Sequence, residues 1–258
     1  YAGEVKLVGT TLVATPIEFG AINLIPSDPI KHSNKGAVGA LIIEPQGSTW
    51  TLDSGTRAAA TVDTPGIGND FREFVLLFQN DINFRFGDGS PIPLTAQEED
   101  PEEGSGMAFN YRTEPMWARL GYAPDTPLTT TRTFDFTNAV SNAQIGADPV
   151  TPIFTARVGT PVRFRVLHPQ GHQRNSVFAV HGHIWEEEPY ANGSTVLGSN
   201  PLSEWKGAQM GHGPSNHFDA LPKNGAGGKF RITGDYLYRN FQSFQFDGGM
   251  WGIFRVTP

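Results

Sequence analysis

The sequence predicts an all-β protein, a sandwich or barrel of short strands. Three observations predict it. Gly (30) and Pro (20) make up about a fifth of the 258 residues, which favours many turns over long helices. Phe is abundant at 18, and bulky aromatics suit half-buried strands and sandwich cores. The apolar runs are short and rich in β-formers, with few patterns of helical period.

Taken in order, the β-rich runs are Val5 to Val13, Ala40 to Glu44, Phe74 to Phe78, Ile82 to Phe86, Ile153 to Val158, Val162 to Leu167, Val177 to Trp185, Phe230 to Thr233 and Trp251 to Val256. Turn residues separate them. Pro45-Gln-Gly closes the second run and Gly87-Asp-Gly the fourth. Gly159-Thr-Pro divides the fifth from the sixth, and Asn192-Gly follows the seventh. Gly and Pro at such places supply the backbone angles that turns require.

Composition excludes several function classes. The formal net charge is −7, so a nucleic-acid backbone is not an expected partner. No apolar run approaches about 18 residues, so no membrane span is expected. The sequence opens at Tyr1 in a strand-like segment without a leader, as expected of a cleaved precursor. Cysteine is absent. That removes disulfides, thiolate zinc sites and cysteine nucleophiles. It also removes any blue-copper site made within this chain, because such a site needs one Cys thiolate beside two His.

An internal echo suggests the domain plan. Gly36-Ala-Val-Gly39-Ala-Leu-Ile-Ile-Glu-Pro45 and Gly249-Met-Trp-Gly252-Ile-Phe-Arg-Val-Thr-Pro258 both read Gly-x-x-Gly, an apolar run, then Pro. Each has the form of a domain's last strand. Residues 1–50 are then the closing strands of an incomplete domain, completed by an upstream segment or another polypeptide. The alternative is a short N-terminal hairpin packed on a single domain. Residues 51–258 form a complete domain with a long loop insertion at about 97–150. That insertion includes the acidic stretch Gln97 to Gly106 and the Thr-, Pro- and Asn-rich stretch Tyr122 to Asp148. Asn192-Gly-Ser is a glycosylation sequon.

The end of the chain carries a family resemblance. Asp235-Tyr-Leu-Tyr-Arg-Asn240-Phe-Gln-Ser-Phe-Gln245-Phe-Asp-Gly-Gly-Met250-Trp-Gly-Ile-Phe-Arg-Val resembles the closing segment of multicopper oxidases. There the family reads His-Cys-His, three residues, His, four residues, then an axial Met. Arg239, Asn240 and Phe241 stand at His-Cys-His, Gln245 at the next His, and Met250 is kept. Asn175-Ser-Val-Phe-Ala-Val-His181-Gly-His183-Ile-Trp resembles His-Pro-x-His-Leu-His-Gly-His. Gly39-Ala-Leu-Ile-Ile-Glu-Pro and Tyr1-Ala-Gly are similar to the family's domain-closing strand and the strand before it. The resemblance implies cupredoxin-like Greek-key β-sandwiches, one partial and one complete. It places Ser176 at a type 1 copper His, and Ala179 and His181 at ligands of the trinuclear cluster. His183 matches a trailing His that is not a principal ligand. In the first unit His32 precedes Ala37 at the spacing of a type 1 His and its axial Met in related two-domain copper proteins. His32 and Met250 are thus relic ligand positions, and Met250 reads with Trp251 and Phe254 as core packing.

Histidines remain the candidate metal ligands. The seven are His32, His168, His172, His181, His183, His212 and His217. In a strand His181 and His183 share a face, and imidazole suits Cu, Zn or Ni. The candidate set is His181 and His183 with His212, His217 or another of the cluster. The competing reading is structural histidines bonded to loop backbone. Glu186, Glu187 and Glu188 are either carboxylates for a harder cation or a solvated strand end. The acidic loop from Glu98 to Glu103 is either a Ca²⁺ site or a plain surface loop.

Two functions follow. In the first, the chain is the C-terminal module of a large secreted, extracellular or periplasmic multicopper-oxidase-like protein. It lacks a type 1 site, binds no cofactor itself, and serves structure or self-assembly. In the second, it is part of a working copper-dependent oxidase whose copper lies in upstream domains or a partner chain, with His181 or His183 contributing. A metal-binding or sugar-binding sandwich is a third reading.

Overall fold

The computed structural model describes residues 3–15, 17–28, 31–66, 68, 70–83, 85–93, 106–123, 140, 148–171, 175–190, 197–241 and 243–258. Strands β1 (Glu4–Val8) and β2 (Thr11–Thr15) form a hairpin around Gly9 and Thr10. Strands β3 (Gly20–Leu24) and β4 (Gly39–Ile43) form a second antiparallel pair. Then come β5 (Thr49–Leu52), β6 (Ala59–Asp63), β7 (Phe71–Ile82), β8 (Gly106–Phe109) and the short helix α1 (Met116–Arg119). The chain continues through β9 (Ile153–Arg157), β10 (Val162–Gln170), β11 (Ser176–Val180), β12 (Trp185–Glu186) and β13 (Trp205–Lys206). It ends with β14 (Ala208–His212), β15 (His217–Ala220), β16 (Gly234–Asn240), helix α2 (Ser243–Asp247) and β17 (Trp251–Thr257).

The fold class is all-β, as the sequence predicts. One sheet runs β15-β10-β7-β6-β5 with β8 also on β7, and the facing sheet runs β14-β11-β16-β17-β9. Two pairings are parallel, β7 with β10 and β9 with β17. The chain crosses between the sheets from β9 to β10 to β11, and again from β14 to β15 to β16. This interleaving is that of a Greek-key sandwich.

The strand period of two builds the core. Val162, Phe164 and Val166 of β10 face Phe254 and Val256 of β17 across the interior. Phe74 stacks on Phe154 with centroids 4.7 Å apart, and Phe164 meets Phe254 edge-on at 5.4 Å. Each such pair adds about 0.5–1.5 kcal/mol beyond the area it buries. The alternate residues of β17, Trp251 and Ile253, are buried on the other face against Met116 of α1 and Phe246 of α2. Burial on both faces is why this strand reads as an unbroken apolar run.

The glycines of the closing motif are steric requirements. Gly252 lies opposite Tyr238 in the ladder. The Tyr238 hydroxyl donates to the Pro152 carbonyl at 2.6 Å, and a Cβ at residue 252 would overlap that hydroxyl. Gly249 has a φ of 105° and its missing Cβ leaves room for Thr113. In the N-terminal echo Gly36 carries a φ of 77° beneath the Tyr111 ring, whereas Gly39 has ordinary space.

Four strand expectations need correction. Val5 to Val13 is two strands, because Gly9 turns the chain at φ 63°. The run Ile82 to Phe86 is the end of β7 followed by a bridge from Arg85 to Pro91. Val177 to Trp185 breaks after Val180, where Gly182 takes φ 74°. Phe230 to Thr233 is no strand. Gly225, Gly227, Gly228 and Arg231 all take positive φ there, and Phe230 and Ile232 are exposed. Within the expected insertion, residues 106–123 pack against the sandwich through β8 and α1. The acidic stretch from 97 to 105, the sequon at Asn192, and His172 lie outside the described residues.

The first two hairpins differ in how they sit. The β3–β4 pair covers the outer face of the first sheet at β10 and β15. β10 is therefore buried on both faces, and its outward face carries Arg163 and Arg165 beside Leu167. Arg165, fully buried, donates to Glu44 Oε1 at 2.7 Å, Asp219 Oδ1 at 2.9 Å and Glu73 Oε2 at 3.3 Å. Arg163 pairs with Glu18 and lies over the Phe71 ring. By contrast β1–β2 is exposed along its whole length, including Val5, Leu7, Leu12 and Val13. Among the described residues no helix is long and apolar enough to cross a membrane.

This buried network predicts a pH response. Burial, then the hydrogen bond with Glu44, push the Glu73 carboxyl from 4.5 up to about 8, with Arg165 opposing. A raised carboxyl holds its proton more tightly when folded. Its stabilisation is therefore complete below the ordinary value and is lost as pH rises through about 8. His168 and His212 act in the opposite sense at acid pH, because burial lowers both. The difference isolates Glu73. Urea denaturation of the native protein and Glu73→Gln across about pH 5 to 8 is expected to show the native protein losing stability relative to the variant. A constant difference would remove the assignment.

Candidate functional site

The positions aligned with a copper site meet at one end of the sandwich. Ser176 opens β11, Asn240 closes β16, and Gln245 sits in α2; all three are buried. Antiparallel pairing of Phe178 with Asn240 brings β11 and β16 together. Asn240 Nδ2 donates to Gln245 Oε1 and, at 3.2 Å, to Ser176 Oγ. Asn240 Oδ1 accepts from the Val177 amide at 3.0 Å. Met250 is fully buried in the core, and its backbone bonds both Gln245 and Asn240.

A copper ion of the type 1 kind does not fit these residues. Such a site needs a thiolate and two imidazoles with a weak axial thioether. Here the strong-ligand positions hold a hydroxyl and two amides that bond one another. Met250 supplies a thioether alone, so it acts as core packing.

The positions aligned with a second copper cluster lie on the other face of the same strands. Ala179 is opposite Arg239 in the ladder. The exposed His181 ring stacks on Phe241 at 6.0 Å, and the Arg239 guanidinium lies 4.0 Å above the Phe241 ring. Burial and then the charge of Arg239 lower the His181 pKa. A cation beside the ring opposes binding of a second cation there.

His181 and His183 do not share a face. β11 ends at Val180, so the period of two stops before either residue. His183 is buried, with Nδ1 3.0 Å from the His181 carbonyl and Nε2 accepting from the Gly227 amide at 3.1 Å. Both ring nitrogens are engaged, and the ring lies edge-on to Tyr236. This is a structural histidine holding the turn before β12.

The other candidates are dispersed. His212 ends β14 in the interior, 5.6 Å from the buried His168 ring. Burial draws His168 down to about 4, and burial together with His168 draws His212 to about 3. His217 faces Phe19 in a cleft of about 520 Å³ that Tyr190, Glu188 and Asp219 also line. His32 is exposed beside the turn at residues 33–35. Among the described residues no group of three or more His, Asp or Glu is placed to hold a metal ion. Glu186 is buried and accepts from the Asn200 amide and Ser199 hydroxyl, whereas Glu188 is exposed.

Residue-type reasoning overlooked the Arg165 network. A charged pair at Arg163 and Arg165, two apart in a strand, was the available signal. It marks a face that carboxylates must cover if it is buried.

Among solved structures the chain is similar to a Cu-containing nitrite reductase (NirK) from Thermus scotoductus SA-01, at 13% identity and a TM-score of 0.45, over 96% of this chain and 43% of that one. It is also similar to a copper nitrite reductase from Nitrosomonas europaea, at 14% identity and a TM-score of 0.49, over 96% of this chain and 65% of that one. The chain thus spans less than two thirds of the length of either. Likenesses at this level carry no argument about chemistry. No family model matches the sequence, and no curated protein matches it.

Proposed function

We propose that this chain is the C-terminal, cupredoxin-like module of a larger exported multicopper-oxidase-like protein, with a structural role and no type 1 copper centre of its own. The observation that carries the proposal is the Ser176–Asn240–Gln245 cluster. Its members sit together with Met250 where the resemblance puts a type 1 site, yet they satisfy one another by hydrogen bonds. Removing the redox ligands while keeping the buried polar contacts preserves the fold and abolishes electron entry.

Residues 1–50 fit the closing strands of a domain finished by an upstream segment, another polypeptide or a second copy. The exposed apolar residues of β1–β2 support this, because open strand edges with apolar side chains call for cover. Copper then belongs to the parent protein. Location outside the cytoplasm follows the resemblance.

The test is spectroscopic. The purified chain, given excess Cu²⁺ in air, is expected to show no intense band near 600 nm, that is, about the blue-copper region, and no turnover of phenolic substrates. A blue, active preparation of this polypeptide alone would sink the proposal.

One observation favours the second reading, a working oxidase with copper held elsewhere. The His181 ring is exposed at the sheet end, where an adjoining domain has access. That reading rests on His181, since the His183 nitrogens are engaged. Loss of copper from the whole parent protein on His181→Ala would support it.

A further inference from the structure

We propose that His168 and His212 form a buried metal site, holding one cuprous ion between two imidazole nitrogens. The two residues come from different sheets, His168 from β10 and His212 from the end of β14. Neither corresponds to a position in the copper motifs described above.

The argument is an account of ring nitrogens. A neutral imidazole always has one N–H and one lone pair. His168 Nε2 lies 3.4 Å from Asn80 Oδ1, and Nδ1 has no hydrogen-bond partner among the described residues. With Nε2 as the donor, the lone pair falls on Nδ1. Neither nitrogen of His212 has a hydrogen-bond partner among the described residues. Phe78 stands edge-on to His212 at 4.6 Å, and Phe218 packs on it at 5.3 Å. A phenyl face can accept an N–H weakly, but it offers nothing to a lone pair. Two neighbouring buried rings therefore each keep an unmatched lone pair, which is costly to bury. One cation between them satisfies both.

Geometry and charge select the ion. With metal–nitrogen bonds of about 2.0 Å, two imidazoles in line on one ion have centroids about 6.3 Å apart, and a bent pair stands closer. The observed separation is 5.6 Å. Among the described residues no carboxylate partners either ring, and the walls are Phe78 and Phe218. The solvation penalty of a buried ion rises with the square of its charge, so a monovalent ion is favoured. Zinc completes four ligands, whereas a cuprous ion is content with two. Both rings are neutral near pH 7, as metal binding requires. Gly171 leaves room for the Asn80 amide beside His168 Nε2, the contact that turns the Nδ1 lone pair away from Asn80. A Cβ there would overlap the Asn80 amide and lie 3.2 Å from His168 Nε2.

The test uses the whole chain, stripped with chelator and handled without oxygen. Cuprous ion is titrated in competition with bicinchoninate, and the loaded protein is examined by X-ray absorption. The expected result is one equivalent withdrawn from the dye and a first shell of two nitrogens at about 2 Å. His168→Leu and His212→Leu are each expected to weaken binding about 100-fold or more, while His32→Gln competes like the native protein. If either leucine variant fails to fold, the absorption spectrum of the native protein decides alone. Failure to withdraw copper would overturn the site, as would a sulfur scatterer, retention of Zn²⁺ instead of Cu⁺, or unchanged binding in folded leucine variants. A cuprous ion is colourless, so this result is independent of the blue-band test above.

Discussion

Arg165→Met is expected to cost about 3–5 kcal/mol of stability, the range for breaking a buried ion pair by removing one partner. Native domains hold about 5–15 kcal/mol in all, so the loss is a large fraction of the total. The cause is specific. The guanidinium is fully buried and answers Glu44, Glu73 and Asp219 at once. Methionine keeps the volume but leaves these carboxylates facing one another without a cation. Glu73, whose pKa stands near 8, already holds its proton at neutral pH, so the charges left without a cation are those of Glu44 and Asp219. The effect should also be directional. Glu44 follows β4, and Asp219 Oδ2 accepts from the Ala21 amide of β3 at 3.4 Å, so the N-terminal hairpins should detach first. Urea denaturation should show a lower midpoint, and limited proteolysis should release the N-terminal segment before the sandwich is cut. Adding Glu44→Gln to the variant should recover part of the loss, as coupled neighbours do. A midpoint within about 1 kcal/mol of the native value would refute the account.

The second large effect is a gain. Replacing Ser176→His, Asn240→Cys and Gln245→His together is expected to create a cupric site with an intense band near 600 nm, about where two imidazoles and a thiolate absorb. The native chain is expected to show no such band. These residues already touch, and Met250 is bonded through its backbone to two of them. The backbone thus needs little rearrangement. The cost is packing, because His is larger than Ser and His212 lies opposite Ser176 in the ladder. A loss of about 1–3 kcal/mol from overfilling is expected alongside the colour. Titration with Cu²⁺, followed by absorption and electron paramagnetic resonance, reads the result. A folded triple variant that binds Cu²⁺ without the band would mean that these positions do not frame a type 1 geometry.

The sequence alone determined the all-β class, because turn residues and short apolar runs report directly on local backbone. It also determined the lack of a thiolate, since no arrangement of this chain supplies a cysteine. The spacing of the closing segment further led to the meeting of Asn240, Gln245 and Met250, which Ser176 joins through the pairing of β11 with β16. A strand, a short helix and a returning strand leave little freedom over so few residues.

The rest was decided only in three dimensions. Phe230 and Ile232 look like strand residues, but a cluster of positive-φ glycines turns the chain there and leaves both in water. His181 and His183 share a face only if the strand continues, and β11 stops at Val180. Where a strand ends depends on the pairing available beside it, which no local pattern records. Arg165 reads as a surface charge until β3–β4 is laid over β10. His168 and His212 become neighbours only when the two sheets close on Phe78. Each of these turns on which side chains a distant strand brings near. That choice is set by burying apolar area across the whole sandwich, a sum over many residues that a local pattern cannot show.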